Sequence, residues 1–255
     1  MLGAVAGDII GSTYEFNSIK TKEFELFPKG SIFTDDTVLS MAIAKSIMDS
    51  EPYLDNIVDF GRHYFNVSYG GNFRRWLRGN DHSPYNSWGN GSAMRVSPIG
   101  FAFDTEQEVL KEARKSAEIT HNHPEGIKGA EATALAIFMA RKGATKEKIR
   151  ERITKDFEYD LSRTVDEIRP DYKFEVSCAK SVPESIICFL DSSSFEDCIR
   201  NAISLGGDAD TMGAIAGGIA EAYYGSVPDE VERKVYEILP DEFIEILERF
   251  RGEII

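Results

Sequence analysis

Two short runs of acids and threonines carry the side chains best suited to chemistry in this sequence. The first run is Thr34-Asp35-Asp36-Thr37, and the second is Gly206-Gly207-Asp208-Ala209-Asp210-Thr211. Each run supplies two carboxylates and at least one hydroxyl, whereas capping a helix needs only one side-chain acceptor. An all-oxygen donor set selects hard divalent cations, Mg²⁺ or Mn²⁺, rather than zinc. The runs therefore indicate a metal site, with ordinary helix capping as the alternative for either run alone.

Both runs stand directly before apolar segments that are predicted to be buried helices, Val38 to Ile43 and Met212 to Tyr223. Negative charge is favoured at a helix N-terminus, but a buried carboxylate also needs a cation or dense hydrogen bonding. Two divalent ions would bring about four positive charges, enough to neutralise four aspartates. This is a count of charges only, and it does not by itself place the two runs together.

Helical patterns dominate the rest of the chain. Thr105-x-x-Glu108 is typical of a helix start, and Pro240 separates two amphipathic helices near the C-terminus. Only Tyr172 to Val176 alternates weakly, as one short strand would. Strands and helices do not alternate along the chain, which disfavours a doubly wound sheet. The sequence predicts an all-α fold of roughly ten or more helices, forming a single domain over residues 1–255.

Glycines recur every four residues in two of the predicted helices. They are Gly3, Gly7 and Gly11 near the N-terminus, and Gly213 and Gly217 later in the chain. Glycine costs roughly 1 kcal/mol relative to alanine at an interior helix position. Because small residues let two helix axes approach, we interpret these helices as a closely packed pair in the core, which would hold adjacent helix ends rigid.

Composition places the chain among ordinary globular proteins. It has 255 residues and a net charge of −14, with 29 basic and 43 acidic side chains. Such an acidic surface argues against a nucleic-acid partner, which needs lysines and arginines. No uncharged apolar stretch approaches the roughly 20 residues that span a bilayer, and the first residues lack the basic region of a secretory signal. Three cysteines without a CxxC spacing fit a reducing compartment, so we predict a soluble, cytoplasmic protein without a membrane partner.

Six segments form an ordered set along the chain. They are Gly7-Asp8-Ile9-Ile10-Gly11-Ser12 with Glu15, Thr34 to Thr37, Tyr69-Gly70-Gly71, Ser87 to Arg95, Thr120-His121, and Gly207 to Thr211. This set resembles the ADP-ribosylglycohydrolases, a family that includes the dinitrogenase-reductase-activating glycohydrolase. The resemblance covers nearly the whole chain and implies an all-α orthogonal multi-helix bundle. It also implies hydrolysis of the glycosidic bond at the anomeric carbon of ADP-ribose. The acceptor stays open among an arginine or serine side chain and a small molecule such as O-acetyl-ADP-ribose.

The resemblance further implies that the two runs, although far apart in the chain, meet in a cleft and hold two Mg²⁺ or Mn²⁺ ions jointly in a dinuclear site. The expected ligands are Thr34, Asp35 and Asp36 on one ion, Asp208 and Thr211 on the other, and Asp210 between them. Glu15 matches a mobile glutamate of the family, and Glu15, Asp35 and Asp210 are the expected catalytic residues. Such ions can bind ribose hydroxyls and acidify a water, while a carboxylate carries its proton.

Substrate contacts are also implied by the resemblance. The expected residues are Gly70, Gly71, Ser87, Trp88, Gly89, Asn90, Gly91 and His121. The Gly-Asn-Gly run would wrap the diphosphate and ribose, with Trp88 against the ligand, while Phe16 is interpreted as a packing residue. Two alternatives stay open: a catalytically silent ADP-ribose-binding or structural protein on the same scaffold, and a different metal hydrolase such as a phosphatase. The sequence does not specify the oligomeric state.

Overall fold

The protein is built from α-helices joined by loops, as the computed structural model of residues 1–254 describes it. Within those residues there are fourteen α-helices and one 3-10 helix, η1, and no strand. They are α1 (Leu2–Gly11), α2 (Asp35–Asp49), α3 (Tyr53–His63), α4 (Gly71–Arg78), η1 (Asn90–Ser92), α5 (Ser97–Ala102), α6 (Glu106–Glu118), α7 (Pro124–Arg141), α8 (Lys146–Phe157), α9 (Val165–Ile168), α10 (Cys178–Leu190), α11 (Phe195–Ser204), α12 (Ala209–Tyr224), α13 (Asp229–Ile238) and α14 (Asp241–Ile254). The predicted all-α fold is confirmed.

The short strand expected over Tyr172 to Val176 is not formed, and this expectation was wrong. A strand needs a partner that runs beside it for several residues, and the described chain offers only an isolated bridge between Gly89 and Ser177. The segment instead lies between η1 and the start of α10, where the Val176 carbonyl accepts a hydrogen bond from the Asn90 amide at 2.8 Å. Its role is to hold the loop before η1 in place.

Helices α1 and α12 pack backbone to backbone in the core. A Cβ placed on Gly213 would lie 2.5 Å from the carbonyl oxygen of Gly7, and one on Gly11 would lie 2.5 Å from the carbonyl carbon of Ala209. Real Cβ atoms do not approach so closely, so glycine is required at these crossings. Because the later glycine of α1 faces the earlier position of α12, the two helices run antiparallel. The C-terminal end of α1 therefore lies beside the N-terminal end of α12.

The buried apolar side chains form one contiguous cluster, and α12 also packs against α7, α10 and α11 within it. This continuity supports the prediction of a single domain, which stays a prediction. The three cysteines are buried and free of disulfides. Among the described helices, none is both long and apolar enough to cross a bilayer.

Candidate active site

Three helix ends meet at one buried cluster of acids. The Thr211 hydroxyl, in the first turn of α12, donates to the Asp36 carboxylate, in the first turn of α2, at 3.4 Å. The antiparallel packing of α1 on α12 brings Asp8 and the end of α1 to the same place. The two acid-threonine runs therefore meet in space, as the sequence predicts.

The carboxylates form two groups that share one residue. One oxygen from each of Asp8, Asp36 and Asp210 lies within 4.8 Å of the others, and the same holds for Glu15, Asp208 and Asp210. Asp210 belongs to both groups, which is the position expected of a residue between two ions. A set of oxygen atoms this close together has the donor chemistry that hard divalent cations prefer.

Asp8 is absent from the predicted metal and catalytic residues, yet it is fully buried at the centre of this cluster. Its carboxylate accepts hydrogen bonds from the Thr34 amide (2.9 Å), the Thr34 hydroxyl (2.7 Å), the Thr37 amide (3.1 Å) and the Thr37 hydroxyl. Asp8 thus links α1 to the first turn of α2, and it accepts the hydrogen bond that the Thr34 hydroxyl donates. A single acid in an otherwise apolar, glycine-spaced helix was the signal that could have revealed it.

The charge of this cluster is not balanced by basic side chains. Within residues 1–254, no lysine or arginine forms an ion pair with these acids, and Asp36 Oδ1 is buried without a hydrogen-bond partner. Burial and then the neighbouring carboxylates raise the pKa of Asp36 and the pKa of Asp210 well above their usual range. Buried, mutually repelling carboxylates with an orphaned oxygen fit one or more divalent cations.

Three further carboxyls have raised pKa values. Burial, followed by the charge of Asp210, raises the pKa of Glu15 to about 8 and the pKa of Asp35 to about 8. Burial raises the pKa of Asp208 to about 6, although a hydrogen bond from Asn90 acts in the opposite direction. Glu15 is half-buried just beyond the end of α1. A half-buried carboxyl with a pKa near neutrality is well suited to exchange protons with a substrate.

The acid cluster opens into a cavity of about 590 Å³. This volume is in the range typical of small-molecule sites. Thr34 is held behind the wall by Asp8, and all the other predicted site residues line the cavity: Glu15, Asp35, Asp36, Gly70, Gly71, Ser87, Trp88, Gly89, Asn90, Gly91, His121, Asp208, Asp210 and Thr211. The structure therefore brings the predicted metal, catalytic and substrate residues to one place.

The glycine-containing segment before η1 is fixed from two sides. The Asn90 amide group donates to Asp208 at 2.7 Å, which links η1 to the start of α12. The Trp88 carbonyl accepts from the Cys178 amide, at the start of α10, at 3.0 Å. The Trp88 side chain itself is 50% exposed. A fixed backbone thus presents an accessible indole at the cavity, as a ligand-stacking residue requires.

His121 and the glycines lie differently in the cavity wall. His121 is buried, and a Cβ on Gly91 would lie 3.2 Å from its ring, so glycine there allows the close contact. A Cβ on Gly70 or Gly71 would meet no atom within 4 Å. These two glycines therefore border open space at the start of α4 rather than a packed contact.

Phe16 was interpreted as a packing residue, and this interpretation was wrong. Its side chain is 77% exposed, lines the cavity and stacks on the half-exposed Phe174 with ring centroids 6.4 Å apart. Arg95, which had no predicted role, is fully buried and also lines the cavity. Neither position could be read from sequence spacing, because both depend on which loops meet around the cavity.

Comparison with known proteins adds independent information. A family model described as ADP-ribosylglycohydrolase matches residues 1–254. ADP-ribosylhydrolase ARH3 of Homo sapiens is 28% identical over 305 aligned positions, covering 88% of this chain and 84% of that protein. ADP-ribosyl-[dinitrogen reductase] glycohydrolase of Rhodospirillum rubrum is 29% identical over 261 positions, with 88% and 84% covered. The solved ADP-ribosylglycohydrolase-related protein complex contains a chain that matches with a TM-score of 0.76 at 24% identity, covering 98% of this chain and 95% of that chain.

The matches along the whole chain define the class of protein as a glycohydrolase, an enzyme that cleaves glycosidic bonds. The structural match bears on the fold, and it confirms the predicted helical bundle. The chain belongs to the ADP-ribosylglycohydrolase family. The resemblance and the prediction of an enzyme are thus confirmed, and the alternative of a catalytically silent protein is not favoured. The roles of individual residues stay predictions.

Proposed function

We propose that this enzyme hydrolyses the bond between the anomeric carbon of ADP-ribose and its acceptor, and so releases ADP-ribose. The acceptor is an arginine or serine side chain of a modified protein, or a small group as in O-acetyl-ADP-ribose. The names of the human and Rhodospirillum rubrum relatives support ADP-ribosyl conjugates as substrates. The observation that carries the proposal is the contact of Thr211 with Asp36, which joins two distant helix ends into one acid-lined cavity.

Two Mg²⁺ or Mn²⁺ ions complete the proposed site. The residues that would hold them are Thr34, Asp35, Asp36, Asp208, Asp210 and Thr211, and Asp210 would serve both ions. The buried, unpartnered oxygen of Asp36 and the membership of Asp210 in both carboxylate groups support this arrangement. When bound, such ions bind sugar hydroxyls and acidify a water. Asp8 is better suited to orienting Thr34 than to binding an ion, because hydrogen bonds occupy both of its oxygens.

The chain's own carboxylates then carry the proton and stabilise charge. In the hydrolysis, the bond from the anomeric carbon to the acceptor breaks, and a bond to the water oxygen forms. Glu15 receives the proton of that water and returns it to the departing acceptor, which its half-buried position beside Asp210 favours. Positive charge that develops on the sugar ring is stabilised by the surrounding acids, Asp35 among them.

The rest of the ligand contacts the part of the cavity wall that lies outside the acid cluster. Ser87 and the segment Gly89 to Gly91 border the diphosphate and ribose, Trp88 lies against the ligand, and Gly70 and Gly71 leave room for the distal ribose. The exposed indole and the open space beside the two glycines support this placement. A cytoplasmic location without a nucleic-acid or membrane partner stays part of the proposal, supported by the acidic composition and the free cysteines.

A hydrolysis panel tests this function. ADP-ribosyl-arginine and ADP-ribosyl-serine peptides and O-acetyl-ADP-ribose are each incubated with Mg²⁺ or Mn²⁺, and released ADP-ribose is measured. Asp35→Ala and Asp210→Ala should lower release by at least about 10³-fold. Asp197→Asn is the matched control, because Asp197 also lies in the first turn of a helix but outside the cavity. Full turnover by the Asp35 and Asp210 variants would refute the proposal.

A further inference from the structure

Arg95 and His121 in the cavity wall are joined through the buried Thr120 in a continuous series of hydrogen bonds. Arg95 Nη2 donates to Thr120 Oγ1 at 3.0 Å and to the Ser116 carbonyl at 2.7 Å. Thr120 Oγ1 in turn lies 2.7 Å from His121 Nδ1. Arg95 and Thr120 are fully buried, and His121 is 6% exposed. Water therefore has little access to alter these contacts.

Arg95 determines which atoms donate and which atoms accept in this series of hydrogen bonds. A guanidinium can only donate hydrogen bonds, so Thr120 Oγ1 accepts from Arg95. The hydroxyl then has one proton to place, and His121 Nδ1 is the acceptor next to it among the described residues. A buried hydroxyl proton without an acceptor is costly. Thr120 thus donates to Nδ1, which must be unprotonated, and the ring proton of His121 lies on Nε2.

The same arginine disfavours a second proton on the ring. Burial, and then the positive charge of Arg95, lower the pKa of His121 well below its usual range. No carboxylate of the described chain forms an ion pair with Arg95 or His121 to offset this. The imidazole is therefore neutral as well as fixed in one tautomer.

The protonated nitrogen faces the segment that borders the ligand. A Cβ on Gly91 would lie 3.2 Å from His121 Nε2, and one on Gly89 would lie 3.7 Å from it. Both glycines line the cavity, and so does Arg95, whose Nε and Nη1 are buried without partners. An N–H donor beside an uncompensated buried cation favours an anionic group of the ligand at this part of the wall.

We propose that Arg95 and Thr120 are positioning residues that lock His121 as the neutral tautomer protonated on Nε2, so that His121 donates a hydrogen bond to the diphosphate of the ADP-ribosyl ligand. The identity of the ligand rests on the proposed function. In this state His121 binds the ligand but does not take a proton from water, since Nδ1 is occupied and Nε2 already carries its proton. Proton transfer is left to Glu15.

The tautomer is tested by NMR of the protein labelled with ¹⁵N in its histidine rings. Long-range proton–nitrogen spectra at neutral pH should show His121 protonated on Nε2 alone. Thr120→Val removes the donor to Nδ1 and should produce a mixture of tautomers, whereas Thr120→Ser should restore the single one. Thr133→Val is the matched control, because Thr133 is equally buried but its hydroxyl has no hydrogen-bond partner.

Binding of ADP-ribose supplies the second measurement. As the population of the donor tautomer falls, the Kd for ADP-ribose should rise about 3–10-fold in Thr120→Val. Because the contact is made in both ground and transition states, KM should rise with it while kcat stays within about twofold. Thr120→Ser and Thr133→Val should keep the wild-type Kd.

Several results would overturn the proposal. They are a wild-type ring protonated on Nδ1, an unchanged tautomer in Thr120→Val, and an altered tautomer with unchanged ADP-ribose affinity. If Thr120→Val does not fold, the wild-type spectrum still decides, because protonation on Nε2 supports the proposal and protonation on Nδ1 overturns it. Both readouts are independent of turnover, so a protein that binds ADP-ribose through this tautomer but cleaves no conjugate would refute the proposed function and leave the present inference intact.

Discussion

The Thr211 hydroxyl donates to the Asp36 carboxylate at 3.4 Å, although 175 positions separate the two residues in the chain. Each belongs to the first turn of a different helix, so the contact joins the N-terminal ends of α2 and α12. Helix α1 makes this meeting possible, because it packs its glycines on α12 and binds the start of α2 through Asp8. The cavity thus depends on one small-residue helix that contacts both partners.

That dependence predicts a large effect of Gly213→Ala. The added methyl would lie 2.5 Å from the Gly7 carbonyl oxygen, so the two backbones must separate. We expect the free energy of unfolding to fall by about 3 kcal/mol or more, with loss of ADP-ribose release because the acid clusters move apart. Urea unfolding and a hydrolysis assay measure the two effects.

Gly252→Ala is the control for that substitution. Gly252 also lies inside a helix, α14, but a Cβ there would meet no atom within 4 Å. Alanine is the better helix former, so this variant should be more stable by up to about 1 kcal/mol. Equal effects of the two substitutions would show that close packing of α1 on α12 does not matter.

Asp8→Asn should separate folding from metal binding. The asparagine oxygen can accept from the Thr34 and Thr37 amides as Asp8 does, but its NH₂ would face the Thr34 hydroxyl and use the oxygen lone pair of that hydroxyl. Thr34 would then offer less to a cation. We expect a loss of about 1–2 kcal/mol in stability and a roughly 10–100-fold weaker affinity for Mn²⁺.

Calorimetric titration with Mn²⁺ and urea unfolding check the Asp8 prediction. Asp166→Asn is the control, because the Asp166 side chain is 86% exposed and lies outside the cavity. It should change neither quantity. Wild-type metal affinity in Asp8→Asn would mean that the orientation of the Thr34 hydroxyl is unimportant.

The helices could be predicted from the sequence because their signals are local, whereas the substrate residues of the cavity wall were predicted from the resemblance of six ordered segments to a known family. Helical spacing and cap residues act within one turn, and the two adjacent aspartates of Thr34-Asp35-Asp36-Thr37 are visible directly in the sequence. Asp8, Arg95 and the exposure of Phe16 were not predicted, because their roles exist only where separate segments meet. The lone acid in an apolar helix signals that Asp8 is unusual, but its hydrogen bonds go to residues 26 and 29 positions away, and the spacing does not reveal those partners.

The weak strand pattern at Tyr172 to Val176 failed for the same reason. Alternation describes a segment that could pair, but pairing needs a neighbouring strand. Here the neighbours are η1 and the first turn of α10, and they form single hydrogen bonds instead of a ladder. The Asn90 amide of η1 donates to the Val176 carbonyl, and the Cys178 amide of α10 donates to the Trp88 carbonyl. Tertiary context therefore decided the outcome.

The raised carboxyl pKa values predict how the metal-free protein responds to pH. Burial and the charge of Asp210 raise the pKa of Asp35 and the pKa of Glu15 to about 8, whereas the unfolded values are about 3.9 and 4.3. Between pH of about 4 and 8, the folded state therefore holds protons that the unfolded state releases. The stability that these two protonated groups give to the folded state is therefore fully present at the acidic end of this window, and it is lost as the pH rises through the folded-state pKa values.

Divalent cations should reverse that trend, because they bind the ionised carboxylates and compete with protons. After chelation, the melting temperature should fall between pH 5 and pH 8, and Asp35→Asn should make the fall shallower by removing one titrating group. Adding Mg²⁺ or Mn²⁺ should raise the melting temperature more at pH 8 than at pH 5. Thermal unfolding with and without metal at the two pH values checks this. A metal effect larger at pH 5 would show that the cation does not replace protons on these acids.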